Sequence, residues 1–242
     1  MPSFFYPDRI GRSPVPYFSN RDELQDIEQR FSARSTSLRV MTLVGLGGSG
    51  KTQLELKYAW MQKNEYEVVL WFNAASMEAL YGCLERVACL FTGMVHPMIQ
   101  KSRATETATT EDSTQNTALT LYQSRHSKDI ELIKKELRRR QQRFLCIFDG
   151  ADEPSVIDQL PRYFPHNLAG DVIVSPRRME ASQLATEPEL NIEVKGLPEE
   201  SACELLLYQA GITQPNEHET RKAEEIVKRL DYIALAIDLA GR

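Results

Sequence analysis

Cysteine is sparse in this chain: four residues in 242, at Cys83, Cys89, Cys146 and Cys203. No two form a C-x-x-C pair, and no histidine stands at zinc-ligand spacing from them, which excludes a zinc finger or ribbon. Cys146 lies inside an apolar run and reads as a small buried hydrophobe. A reduced, intracellular setting follows. There is no basic excess either. Lys and Arg number 29 against 34 Asp and Glu, a net charge of −5, so neither a nucleic acid nor a membrane surface is an expected partner. The opening MPSFFYPDRIGR has no apolar h-region and is no signal peptide. No stretch approaches the roughly 20 apolar residues of a membrane span. The expected location is cytoplasmic.

What is present is an ordinary globular composition, 42% hydrophobic and 26% charged. The length suits one large domain, or one domain and part of a second. Residues 1–20 are Pro-rich and aromatic and read as an extended arm. Ser19 or Asn20 is placed to cap a helix starting near Arg21 and running through DELQDIEQRF. LRVMTLV (38–44) reads as a strand, QLELKYAWMQKN as a helix, EVVLWF (67–72) as a strand and Met77 to Phe91 as an amphipathic helix. Residues 92–127 have no apolar periodicity and read as a loop or disordered insertion. A charged helix over 128–143 runs into the strand FLCIFD. DVIVS (171–175) and NIEV (191–194) are further strands, and beyond Gly196 the pattern is all helical. Alternating strands and helices predict an α/β fold with a parallel sheet of about five strands covered on both faces. The helical stretch 197–242 reads as a separate, truncated subdomain, since its apolar pattern is still running at Arg242.

Gly45 to Thr52 reads GLGGSGKT and satisfies G-x-x-x-x-G-K-[ST] at every fixed position. Glycines let the main chain wrap a polyphosphate and turn several N–H groups inward as an anion nest. The positive end of the next helix faces the same phosphates. Lys51 can reach the β- and γ-phosphates, and the Thr52 hydroxyl can ligate Mg²⁺. A chance Gly-rich turn would carry the same letters, but an apolar strand before and a helix after are what the chemistry requires. The fold expected is therefore the three-layer P-loop NTPase. Such a fold also uses an acid at the end of a neighbouring apolar strand. FLCIFD supplies Asp149, which alone could equally be a turn former. Gly150 follows it. Asp152 and Glu153 stand next, either able to position a water or to cap a helix near Pro154.

Taken in order, VPYFSNRDEL, VMTLVGLGGSGKTQL, VVLWFNA, FLCIFDGADEP, GDVIVSPRR, IEVKGLPEESACELL and LDYIALAIDLAG resemble the NB-ARC class of STAND nucleotide switches, most closely its fungal branch. The resemblance spans nearly the whole chain. It implies that residues 1–20 lie near the adenine site, with Val15, Phe18 and Arg21 beside the base. Gly45, Gly47, Gly48, Gly50, Lys51, Thr52 and Gln53 would bind phosphate and Mg²⁺, and Asp149 would be the Mg²⁺-side acid. Arg177 would read the γ-phosphate, and Asp152 would be a catalytic participant. Ala234 would stand where the family's GLPL-type proline packs by the adenine. The chain departs from the pattern at Asn20 and Asp231, where the family has Gly, at Ala234, at Pro176 within the sensor segment, and in the length of 92–127. The winged-helix, MHD-type and repeat regions of such a switch are expected to be missing.

The function implied is a switch module binding ADP or ATP with Mg²⁺, hydrolysing slowly or not at all. It would act in NLR-like signalling through protein partners, with homo-oligomer formation on activation. Two other readings stand beside it. One is an active P-loop ATPase or other P-loop enzyme. The other is a truncated or degenerate module that works only through protein contacts.

Overall fold

A computed structural model describes residues 4–5, 13–18, 21–32, 35–93, 127–139 and 143–242. Positions Ser19 and Asn20, and all but the two ends of the 92–127 stretch, lie outside the described residues, as do 140–142. The strands are β1 (Phe4–Phe5), β2 (Leu38–Val44), β3 (Val68–Asn73), β4 (Phe144–Asp149), β5 (Gly170–Ser175) and β6 (Asn191–Glu193). The helices are α1 (Asp22–Ser32), α2 (Lys51–Met61), α3 (Met77–Thr92), α4 (127–139), α5 (Pro154–Gln159), α6 (Glu199–Gln209), α7 (Glu217–Arg229) and α8 (Ala234–Ala240).

All six strands form one parallel sheet in the order β1-β3-β4-β5-β2-β6. Five carry the architecture, and the two-residue β1 is an unanticipated addition against Val68 and Val69. The inner strands are continuous apolar runs because helices cover both faces. In β4 the first five residues are buried, and in β5 all six are. Trp71, Phe72, Phe144 and Phe148 are among the largest fully buried side chains, each contributing about 1.5–3 kcal/mol of burial free energy. Helix α1 docks through Leu24, Ile27 and Phe31, one face at helical spacing, and α4 through Ile130, Ile133 and Leu137. Helix α2 begins two residues before the expected start, because the chain turns into it directly from Gly50.

A polar cluster closes the sheet at the amino ends of its strands. Asp171, 1% exposed, accepts from Arg39 Nε at 2.8 Å, from Arg143 Nη2 at 2.8 Å and from the Tyr66 hydroxyl at 2.8 Å. The two guanidiniums extend the cluster to the end of α1, Arg39 bonding the Arg30 carbonyl and Arg143 the Phe31 carbonyl. Charges removed from water in this way need several partners at once.

The hydrophobic interior is in two parts. The larger runs from Leu24 to Val194 and holds the sheet. The smaller unites Leu197, Ala202, Leu206, Ala223, Val227 and Ile237 from the α6–α8 region. No helix among the described residues is long and apolar enough to cross a membrane.

Candidate functional site

In a parallel open sheet, ligands collect beyond the carboxyl ends of the strands. Here that edge carries the Gly-rich loop after β2, Asp149 at the end of β4 and Ser175 at the end of β5. The loop is tied to β5 by Gly45 N–H, which donates to the Pro176 carbonyl at 3.4 Å, and it closes on itself through Ser49 N–H to the Leu46 carbonyl at 3.2 Å. Gly50 has φ 99°, a left-handed conformation that favours glycine, and turns the chain into α2. Helices α1, α3, α6 and α7 each hold an acid in the first turn. Helix α2 holds none, and no side chain caps it. Its positive end is thus left facing the loop.

Lys51 is buried at the rim of the loop and donates to the carbonyls of Gly45 at 2.6 Å and Leu46 at 3.0 Å. Burial lowers its pKa, and of the neighbouring charges Asp152 opposes this most. The Thr52 hydroxyl donates to Asp149 Oδ1 at 2.8 Å. Ser175, aligned with Asp149 by the β4–β5 register, donates to the same oxygen at 3.3 Å and accepts from Gly150 N–H at 3.1 Å. Gly150 has φ 77°, where an acidic side chain would be strained. The chain then folds back, with Asp152 N–H on the Gly150 carbonyl at 2.9 Å.

Asp152 does not cap α5. That position belongs to Glu153, which makes no side-chain cap bond, with Pro154 at the start of the helix. Instead Asp152 Oδ1 accepts from Arg177 N–H at 2.8 Å, and Oδ2 pairs with Arg177 Nε at 2.9 Å. Pro176 therefore leaves Arg177 at the loop. A Cβ built on Gly47 would stand 3.2 Å from the Arg177 Cζ.

A cleft of about 680 Å³ opens from this point, with the 13–18 arm and the α6 and α8 helices among its walls. The family model of the NB-ARC domain matches residues 20–216. The chain belongs to the NB-ARC family. No curated protein sequence matches it. Among solved structures it is similar to Cdc6p of Pyrobaculum aerophilum, with a TM-score of 0.55 and 13% identity over 93% of this chain and 62% of that one. It is also similar to the Drosophila ORC in its DNA-bound structure, at 0.57 and 11% over 96% and 57%. A third likeness is to a signal-transduction ATPase with numerous domains and a tetratricopeptide-repeat sensor from Pyrococcus horikoshii, at 0.48 and 15% over 90% and 29%. The chain thus spans less than two thirds of each of these proteins, and the likenesses with scores above 0.5 establish a P-loop NTPase-like fold.

In this NB-ARC domain the remaining residues singled out from sequence fall around the same cleft. Val15 N–H donates to the Gln53 side-chain carbonyl at 3.0 Å, so Gln53 holds the arm. The Phe18 ring lies 5.4 Å from Lys57 Nζ. Arg21, 3% exposed, is a strut in the wall of the cleft. It donates to the Ser49 carbonyl at 2.6 Å and the Lys195 carbonyl at 2.8 Å, and pairs with Glu23 at 2.8 Å. Ala234 starts α8, and the next residue, Leu235, donates its N–H to the Gly48 carbonyl at 3.1 Å. The helical cluster thus bonds the Gly-rich loop directly. The turn that delivers α8 contains Asp231 at φ 50° and Tyr232 at φ 57°, a rare consecutive pair of non-glycine left-handed residues.

Sequence reasoning missed Ser175, Leu235 and Tyr208. Ser175 had a faint signal, a polar residue ending a fully apolar strand just before Pro176. Tyr208 had none. It is one of many apolar residues on α6, yet it stacks on Tyr17 with centroids 4.9 Å apart, and the Tyr17 hydroxyl donates to Glu204 at 2.8 Å.

Proposed function

We propose that this NB-ARC domain is an adenine-nucleotide-dependent switch module. It binds ADP or ATP with Mg²⁺, hydrolyses slowly or not at all, and acts in the cytoplasm in NLR-like signalling through protein partners and homo-oligomer formation. The observation that carries the reading is the uncapped, acid-free start of α2 ringed by the Gly-rich loop, with the Thr52–Asp149 pair beside it. These residue types suit the group: backbone amides and Lys51 for phosphates, Thr52 and Asp149 for Mg²⁺. Mg²⁺, when bound, neutralises phosphate charge. Slow turnover is supported by Gly150, a left-handed glycine directly after Asp149 with no side chain to activate water. The Leu235–Gly48 bond supports a switch, since a change at the loop reaches the helical cluster in one contact. The test is the identity and occupancy of nucleotide released when protein purified without added ligand is denatured. Stoichiometric adenine nucleotide is expected, and none, with no binding of added ADP, would refute the reading.

A further inference from the structure

Asp152 is a negative charge standing where phosphate would be expected to meet only positive ones. Of the cations at the loop, Arg177 leans on this carboxylate. Arg177 gives it a two-point contact, N–H to Oδ1 and Nε to Oδ2, while its guanidinium lies against Gly47. Lys51 lines the same cleft as Asp152 and Arg177. The lysine of such a loop serves the β- and γ-phosphates, and the acid-bearing strand ends face the terminal one. Asp152, three residues beyond the end of β4, is therefore on the terminal-phosphate side.

We propose that the Asp152 carboxylate is a built-in competitor of the terminal phosphate of a nucleoside triphosphate, holding Arg177 so that the diphosphate is the preferred ligand. This rests on the nucleotide-binding reading above and adds the control of which nucleotide stays. A diphosphate leaves the Arg177–Asp152 pair in place. A triphosphate must either break the pair to engage Arg177 or set its last phosphate beside a carboxylate. Asp152 is thus a specificity-determining residue. An acid that ligated Mg²⁺ would have the opposite effect on triphosphate affinity in the presence of the metal.

Asparagine at this position keeps an oxygen for the Arg177 N–H and removes the charge together with the acceptor for Nε. The experiment is calorimetric titration of the full chain with ADP and with a non-hydrolysable ATP analogue, each with Mg²⁺ and with EDTA. It covers wild type, Asp152→Asn, Arg177→Ala and the double variant. The ratio of triphosphate to diphosphate affinity is expected to rise about fivefold in Asp152→Asn, the upper end for an ion pair with an exposed partner. The rise is expected under both metal conditions, and to shrink to about twofold in the Arg177→Ala background. Asp152→Ser, run in parallel, is expected to give the same rise. An unchanged or lower ratio in both Asp152 variants overturns the proposal, and a fall confined to Mg²⁺ makes Asp152 a metal ligand instead. Wild-type protein that binds neither nucleotide overturns the underlying reading and this proposal with it.

Discussion

Thr52 Oγ1 donates to Asp149 Oδ1 at 2.8 Å, joining the first turn of α2 to the end of β4 across 97 residues of sequence. A hydroxyl and a carboxylate so placed would suit the proposed Mg²⁺, because hard oxygen donors must converge before the ion gains from them. The bond also explains why two motifs that are weak or generic apart become informative together.

Removal of the acid should therefore act through the metal. Asp149→Ala is expected to lower ADP affinity by about tenfold or more with Mg²⁺ present, and by much less in EDTA. Titration calorimetry under the two conditions checks this. Equal losses would place Asp149 outside the metal's reach.

Lys51 is the cation that the loop's own carbonyls hold in position. Lys51→Ala is expected to cost about 2 kcal/mol or more of nucleotide binding, roughly thirtyfold in affinity, as the loss of charge-assisted bonds dictates. An unaltered ADP dissociation constant would remove the phosphates from this loop.

The Asp171 cluster predicts a stability effect remote from the cleft. Asp171→Asn leaves Arg39 and Arg143 largely buried without their counter-charge. The expected cost is about 3 kcal/mol, a fall in melting temperature of about 10 °C for a chain of this size. Differential scanning calorimetry reads it, and a shift within a degree or two would mean that the guanidiniums find other partners.

Tyr17 gives the arm a pH dependence. Burial, then the bond to Glu204, raises its hydroxyl from the ordinary 10 to about 12. Because the folded value lies above the unfolded one, the stabilisation from docking is complete below pH 10 and is lost as pH rises through about 12. The wild-type minus Tyr17→Phe difference in tyrosinate absorption should titrate near 12. A midpoint near 10 would show an undocked arm.

The layered fold was legible because each inner strand is an apolar run bounded by turn residues, as in FLCIFD before Gly150 and DVIVS before Pro176. The strand order was not, since side chains buried on both faces leave no local mark of which neighbour they pair with. The Gly-rich loop was legible at every fixed position. The arm's partners were not: Val15 meets Gln53 and Tyr17 meets Tyr208 through contacts 38 and more residues apart.

By itself the sequence determined the Gly-rich loop, its strand-to-helix setting and the position of Asp149 at a strand end, because glycine torsions, helix polarity and apolar periodicity act over neighbouring residues. Only the tertiary structure decided that Asp152 serves Arg177 rather than a helix end, that Arg21 braces Ser49, and that α8 bonds Gly48. A charged side chain has many partners within reach of its formula. Which one it takes is fixed by where the sheet's strand ends bring the loops, a matter of long-range packing that no local pattern encodes.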